Sequence, residues 1–119
     1  MPSSASKQAK ELLPPLLMER IARRFIILSE PARLQLLSVL YAEGEMTVQE
    51  LVEATGRHQA NVSKHLNLMA KEGILSRQKE GLFVYYGIQD STIQGLCLLV
   101  SGRIRQELEQ ERLRLKSIS

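Results

Sequence analysis

The sequence predicts a mainly α-helical domain with one small β-hairpin, built to pair with a second copy of itself. Three observations carry that expectation. Apolar residues recur at spacings of three and four through most of the chain, the period of helices with one buried face. The stretch from Leu75 to Ile88 switches to strand-like alternation on both sides of a Glu80-Gly81 turn. The apolar stripes of the first and last helices run further than one small core can cover. A length of 119 residues, 44% hydrophobic and 24% charged, is that of one domain. Aromatic residues make up 4% and Trp is absent, which argues against a sandwich or barrel.

Residues 1 to 14 read as a flexible N-terminal arm and 15 to 116 as the folded domain. Leu13, Leu17, Ile21, Phe25 and Leu28 follow helical spacing. Pro14 and Pro15 interrupt that pattern, so the firm helix starts at Pro15 and residues 7 to 13 form a separate turn or arm. Ser29 and Glu30 before Pro31 open a second helix, with Leu34, Leu37, Val39 and Leu40 facing in and an end near Ala42, ahead of Gly44. Thr47 with Glu50 three residues on is a capping box for a short third helix, lined by Val48, Leu51 and Val52 and stopped by Gly56.

A fourth helix follows Arg57 and His58. Val62, Leu66 and Met69 face its core side, leaving Ala60, Lys64, Asn67 and Lys71 outside, with Asn61 and Ser63 beside them. Gly73 closes it before the hairpin. Asp90 and Ser91 then cap a long last helix whose stripe is Ile93, Cys97, Val100, Ile104 and Leu108. The expected dimer interface combines that stripe with Leu17, Ile21 and Phe25.

Charge is distributed in blocks. Residues 40 to 55 hold Glu43, Glu45, Glu50 and Glu53 with no basic residue. Residues 56 to 79 hold Arg57, Lys64, Lys71, Arg77 and Lys79 against Glu72 alone. A cationic helix and hairpin beside an acidic helix suit a reader of double-stranded DNA, one element entering a groove while the rest faces away. The longest apolar run, Leu96 to Val100, is far short of the roughly 20 residues a membrane span needs. With no secretory apolar segment, the chain is expected to be soluble and cytoplasmic. Its single cysteine, Cys97, excludes an intrachain disulfide and a zinc site built on several thiolates. No nucleophile triad, acid pair or phosphate-binding glycine loop emerges, so an enzyme is not expected.

Helix, helix, short helix, turn, polar-faced helix and hairpin is the order of a winged helix-turn-helix. Within it, Leu28-Ser29-Glu30-Pro31-Ala32-Arg33-Leu34, Thr47-Val48-Gln49-Glu50-Leu51, Gln59-Ala60-Asn61-Val62-Ser63-Lys64-His65-Leu66, Glu72-Gly73-Ile74-Leu75 and Lys79-Glu80-Gly81 with Val84-Tyr85-Tyr86 resemble the ArsR/SmtB family of dimeric bacterial repressors. The resemblance spans roughly Arg20 to Gln106. It implies that the fourth helix is the recognition helix and that the protein is a homodimeric repressor on an inverted-repeat operator.

On that helix Gln59 and Asn61 suit adenine, Lys64 guanine or phosphate, and Ser63 either. Ala60 shares their face. The resemblance assigns His65 to DNA as a donor, and His58 is a cap, a surface residue or a phosphate contact. Arg77 and Lys79 are the hairpin's candidate minor-groove or phosphate contacts, while Leu82 stands where family members often carry a basic residue.

His58 and His65 lie two helical turns, roughly 10 Å, apart and cannot share an ion. The family's metal pattern in the last helix is Asp-x-His followed by His-x-x-Glu. Asp90 matches, but Thr92, Arg103 and Gln106 occupy the other positions, and Thr47 stands in for the third-helix cysteine. No metal or cofactor is expected, and the inducer stays open. Two alternatives remain at this point: a protein-interaction module on a winged-helix scaffold, and a thiol-responsive regulator using Cys97.

Overall fold

The computed structural model describes residues 13–118, so the expected arm and the turn at 7 to 13 lie almost wholly outside the described residues. The elements run α1 (Pro15–Leu28), α2 (Pro31–Glu43), β1 (Met46–Thr47), α3 (Val48–Thr55), α4 (Gln59–Lys71), β2 (Leu75–Glu80), β3 (Phe83–Ile88) and α5 (Thr92–Ile118). Pro15 and Pro31 each sit at a helix start, where the fixed φ suits a helix and the missing N–H is one the first turn does not use.

Both halves of the α3 capping box are made. The Glu50 amide donates to Thr47 Oγ1 at 3.2 Å, and the Thr47 amide donates to Glu50 Oε1 at 3.0 Å. Gly56 ends α3 in the left-handed region at φ 72°, with its N–H donating to the Val52 carbonyl at 2.8 Å. That reversal turns the chain from α3 into α4.

The sheet has three strands in the order β1-β3-β2, where the sequence suggested a two-stranded hairpin. Met46 pairs with Tyr86 and Thr47 with Tyr85. A two-residue strand has no alternation to read, and Thr47 carries a stronger local signal as a cap. The third strand gives the hairpin a fixed base, which an isolated pair of strands lacks.

The core gathers Leu36, Leu40, Leu51, Val62, Leu66, Met69, Ile74, Leu75 and Ile93, all fully buried. The expected inward stripe of α4 is therefore the one that packs. On α2 the buried set is Ala32, Leu36, Leu37 and Leu40, whereas Leu34, expected inside, is exposed. Helix α1 buries Ile27 alone, and α5 buries Ile93 alone. Ile93 thus belongs to the chain's own core and not to a surface for a partner, because the start of α5 packs onto the globular body. Cys97, one turn later, is half-buried against that core.

Polar ties seat the helix ends. Arg23 forks onto Glu72 just past α4, and its guanidinium holds the Glu72 carboxyl below the usual carboxylate range. Arg24 pairs with Asp90, whose Oδ1 also accepts from the Thr92 amide at 3.0 Å to cap α5. Tyr41 Oη accepts from the Gln94 amide at 3.0 Å. Among the described residues, no single helix is long and apolar enough to cross a membrane.

Candidate nucleic-acid interface

Packing Val62, Leu66 and Met69 inward leaves His58, Gln59, Ala60, Lys64, Asn67 and Lys71 exposed on one side of α4, with Asn61 and Ser63 half-buried beside them. No acidic residue lies in the first turn of α4, and the N-cap residue His58 makes no side-chain capping bond. The positive end of that helix, with its unpaired N–H groups, therefore favours a phosphate oxygen. Arg57 stands next to it, its Nε donating to Gln35 Oε1 at 2.7 Å.

His65 departs from expectation. Its side chain is buried, the residue being 6% exposed, and it lies between α4 and α2 instead of on the outer face. Arg33 Nε donates to His65 Nδ1 at 3.1 Å, and the same guanidinium donates through an NH group to the Ile27 carbonyl at 3.1 Å. The other ring nitrogen, Nε2, is 3.4 Å from Asn61 Nδ2. Burial, and then the Arg33 charge, push the imidazole below its ordinary value. Helical spacing already puts residue 65 beside Val62, Leu66 and Met69, so burial follows from position despite the polar side chain.

The hairpin is fastened to α4 by one phenol. Tyr86 is buried, and its hydroxyl donates to Asn67 Oδ1 at 2.7 Å while accepting from Arg77 Nε at 3.2 Å. Arg77 is thereby held near the outer face of α4 with its remaining N–H groups available. Lys79, opposite Val84 in the register, is exposed further along the wing. The tip is apolar, with Leu82 95% exposed and Phe83 also exposed. Nothing in the sequence marked Tyr86, Asn67 and Arg77 as one group, because they come from three elements.

The expected partner surface divides. Leu17, Ile21 and Phe25 on α1 and Val100, Ile104 and Leu108 on α5 are exposed, while Ile93 and much of Cys97 are covered by their own chain. Phe25, Leu34, Cys97, Val100 and Ile104 line an open apolar groove of about 540 Å³ between α1, α2 and α5. Among the described residues no group of three His, Cys, Asp or Glu side chains converges as metal ligands would.

The fold is shared with known regulators. The family model HVO_A0114 matches residues 28–89, just over half of the chain. MJ1325, an uncharacterized HTH-type transcriptional regulator of Methanocaldococcus jannaschii, is 33% identical over 82 residues, covering 69% of this chain and 92% of that protein. A probable mercury resistance operon repressor of Streptomyces lividans is 33% identical over 98 residues, covering 82% and 78%. The solution structure of Mb0332 from Mycobacterium bovis is described as a homodimeric winged helix-turn-helix DNA-binding domain and a possible ArsR-family regulator. It superposes with a TM-score of 0.69 at 30% identity, over 78% of this chain and 85% of that one.

The chain belongs to the HVO_A0114 family and, with these relatives, to the ArsR family of transcriptional regulators. As an ArsR-family regulator it is a DNA-binding protein, and α3 and α4 with the wing make its winged helix-turn-helix.

Proposed function

We propose that the protein is a homodimeric repressor, working in the cytoplasm where its DNA is, that reads an inverted-repeat operator with one copy of α4 in each of two successive major grooves. The observation that carries this reading is the uncovered apolar surface of α1 and α5, where Phe25 is 53% exposed, Val100 56% and Leu108 58%. A continuous apolar surface of this kind marks a site of association, and a two-fold contact through it sets two reading heads side by side. The homodimeric state of the Mycobacterium bovis relative and the repressor role of the Streptomyces lividans relative support it.

In this reading Gln59 and Asn61 contact bases, Ser63 and Lys64 contact bases or phosphate, Ala60 lets the helix approach closely, and His58 and the α4 N-terminus meet a phosphate. Arg77 and Lys79 anchor the wing to the backbone or minor groove. His65 acts from behind the helix. Sedimentation combined with footprinting on the DNA beside its own gene tests the proposal. The expected result is a dimer protecting half-sites whose centres are about 34 Å apart or a multiple of that. A monomer that still binds one site specifically overturns it.

A further inference from the structure

Behind the recognition helix lies a buried polar joint with a single consistent proton arrangement. Arg33 sits on α2, and its guanidinium donates both to the Ile27 carbonyl of α1 and to His65 Nδ1 of α4, so one side chain joins three helices. The Ile27 carbonyl is among the last of α1, which no amide of that helix can reach, and a cation there also suits the helix dipole. Arginine is always protonated, so His65 Nδ1 must be an acceptor. The ring is then neutral with its proton on Nε2.

That N–H faces the Asn61 amide. The nearest atom is Asn61 Nδ2 at 3.4 Å, while Asn61 Oδ1 is buried without a hydrogen-bond partner. Two donors facing each other repel, and a half-turn of the amide brings Oδ1 onto the Nε2–H. The chain of bonds is then directed from Arg33 through His65 to Asn61, and it holds the amide in one orientation.

We propose that Arg33 and His65 are positioning residues for DNA reading: the neutral His65 ring, held between Arg33 and Asn61, locks α4 against α1 and α2, and a proton on that ring unlocks it and weakens operator binding. The inference rests on the reading of α4 as the recognition helix. An imidazolium carries N–H groups on both nitrogens, so its Nδ1–H confronts the Arg33 N–H at the 3.1 Å contact. The two cations then part, and Arg33 can keep only its bond to α1.

The charged groups around the ring mostly oppose that proton. Arg33 on α2, Lys64 on α4 and Arg57 ahead of α4 repel it, and Glu30 between α1 and α2 attracts it. The sign follows from the lowered value. Well above the ordinary 6.5 the ring is neutral in folded and unfolded chains alike, and as the pH falls through it the unfolded chain takes the proton first. The locked arrangement therefore loses stability on the acid side.

The test is operator binding from neutral pH to about pH 5, with circular dichroism recorded alongside. Wild type is expected to lose about tenfold in affinity across that range with its helical signal retained, the worth of one hydrogen bond to a charged group. His65→Asn keeps an acceptor for Arg33 near the Nδ1 position, gives up the bond to Asn61 and cannot titrate, so its affinity, whatever its value at neutral pH, should stay flat as the pH falls. The comparison is also made with His58→Gln in both proteins, so that His65 is the one histidine left: the acid loss should persist with His65 and vanish in His65→Asn.

An equal acid loss in His65→Asn and wild type, or no loss in wild type, overturns the proposal. Should His65→Asn fail to fold, nitrogen NMR of the wild-type ring decides, because an Nδ1–H tautomer at neutral pH is incompatible with it. Gln59→Ala and Lys64→Ala test the recognition helix separately. If both bind the operator as wild type does, the assignment of α4 fails, whatever the His65 profile.

Discussion

Replacing Tyr86 by Phe removes one oxygen and isolates the tie between the wing and α4. The hydroxyl donates to Asn67 Oδ1 at 2.7 Å and accepts from Arg77 Nε at 3.2 Å, on a ring only 3% exposed. A neutral hydrogen bond contributes a net of about 1 kcal/mol and one to a charged group roughly 1.5 to 3 kcal/mol. Asn67 and Arg77 are both exposed residues that regain water when released, which discounts the charged contact. The combined loss should therefore be about 2 kcal/mol, somewhat below the sum of the two bonds. For a domain of this size that lowers the melting temperature by roughly 4 °C per kcal/mol.

Urea and thermal unfolding at one fixed protein concentration measure it, since dimer stability depends on concentration. Asn67→Ala and the double variant complete a cycle in which the coupling between the two positions should be about 1 kcal/mol. Operator affinity should fall as well, because Arg77 is no longer held near α4. Unchanged stability with zero coupling would refute the reasoning, and unchanged affinity would separate the tie from DNA binding.

Gln59→Ala should relax preference at one base pair per half-site, at about 1 to 3 kcal/mol, and unaltered specificity counts against that assignment. Lys79→Ala should instead weaken all sequences alike and lower the salt slope by about 1, which binding at several salt concentrations reads. Phe25→Glu or Ile104→Glu should convert the dimer to monomer in sedimentation with the helical signal unchanged, since both side chains are exposed within one chain; a persisting dimer removes the proposed interface. Thr47→Ala should cost about 1 kcal/mol in urea unfolding through the lost α3 cap, and an unmoved midpoint means that the capping box contributes nothing.

Signals that act within a few residues were readable without coordinates. The Thr47–Glu50 box, the prolines at 15 and 31, the stop at Gly56 and the inward set Val62, Leu66 and Met69 all depend on neighbours along one turn, and all appear in the structure. The family resemblance added the reading of the outer face of α4 as the one that meets DNA. His65 was the exception on that helix: its spacing from Val62 and Met69 pointed inward, its polar character and family assignment pointed outward, and Arg33 supplied the partner that makes burial tolerable.

What the sequence by itself determined is which residues share a helix face or a turn, because periodicity and capping are local. Tertiary structure alone decided what covers each face. Ile93 and Val100 belong to one stripe, yet the first lies in the chain's own core and the second is exposed, because the globular body ends after the first turns of α5. Strand β1 exists only through Tyr85 and Tyr86, about forty residues further along the chain, and the groups around Arg33 and Tyr86 are drawn from separate elements. Contacts of that kind are set by packing between distant segments, and no local pattern encodes them.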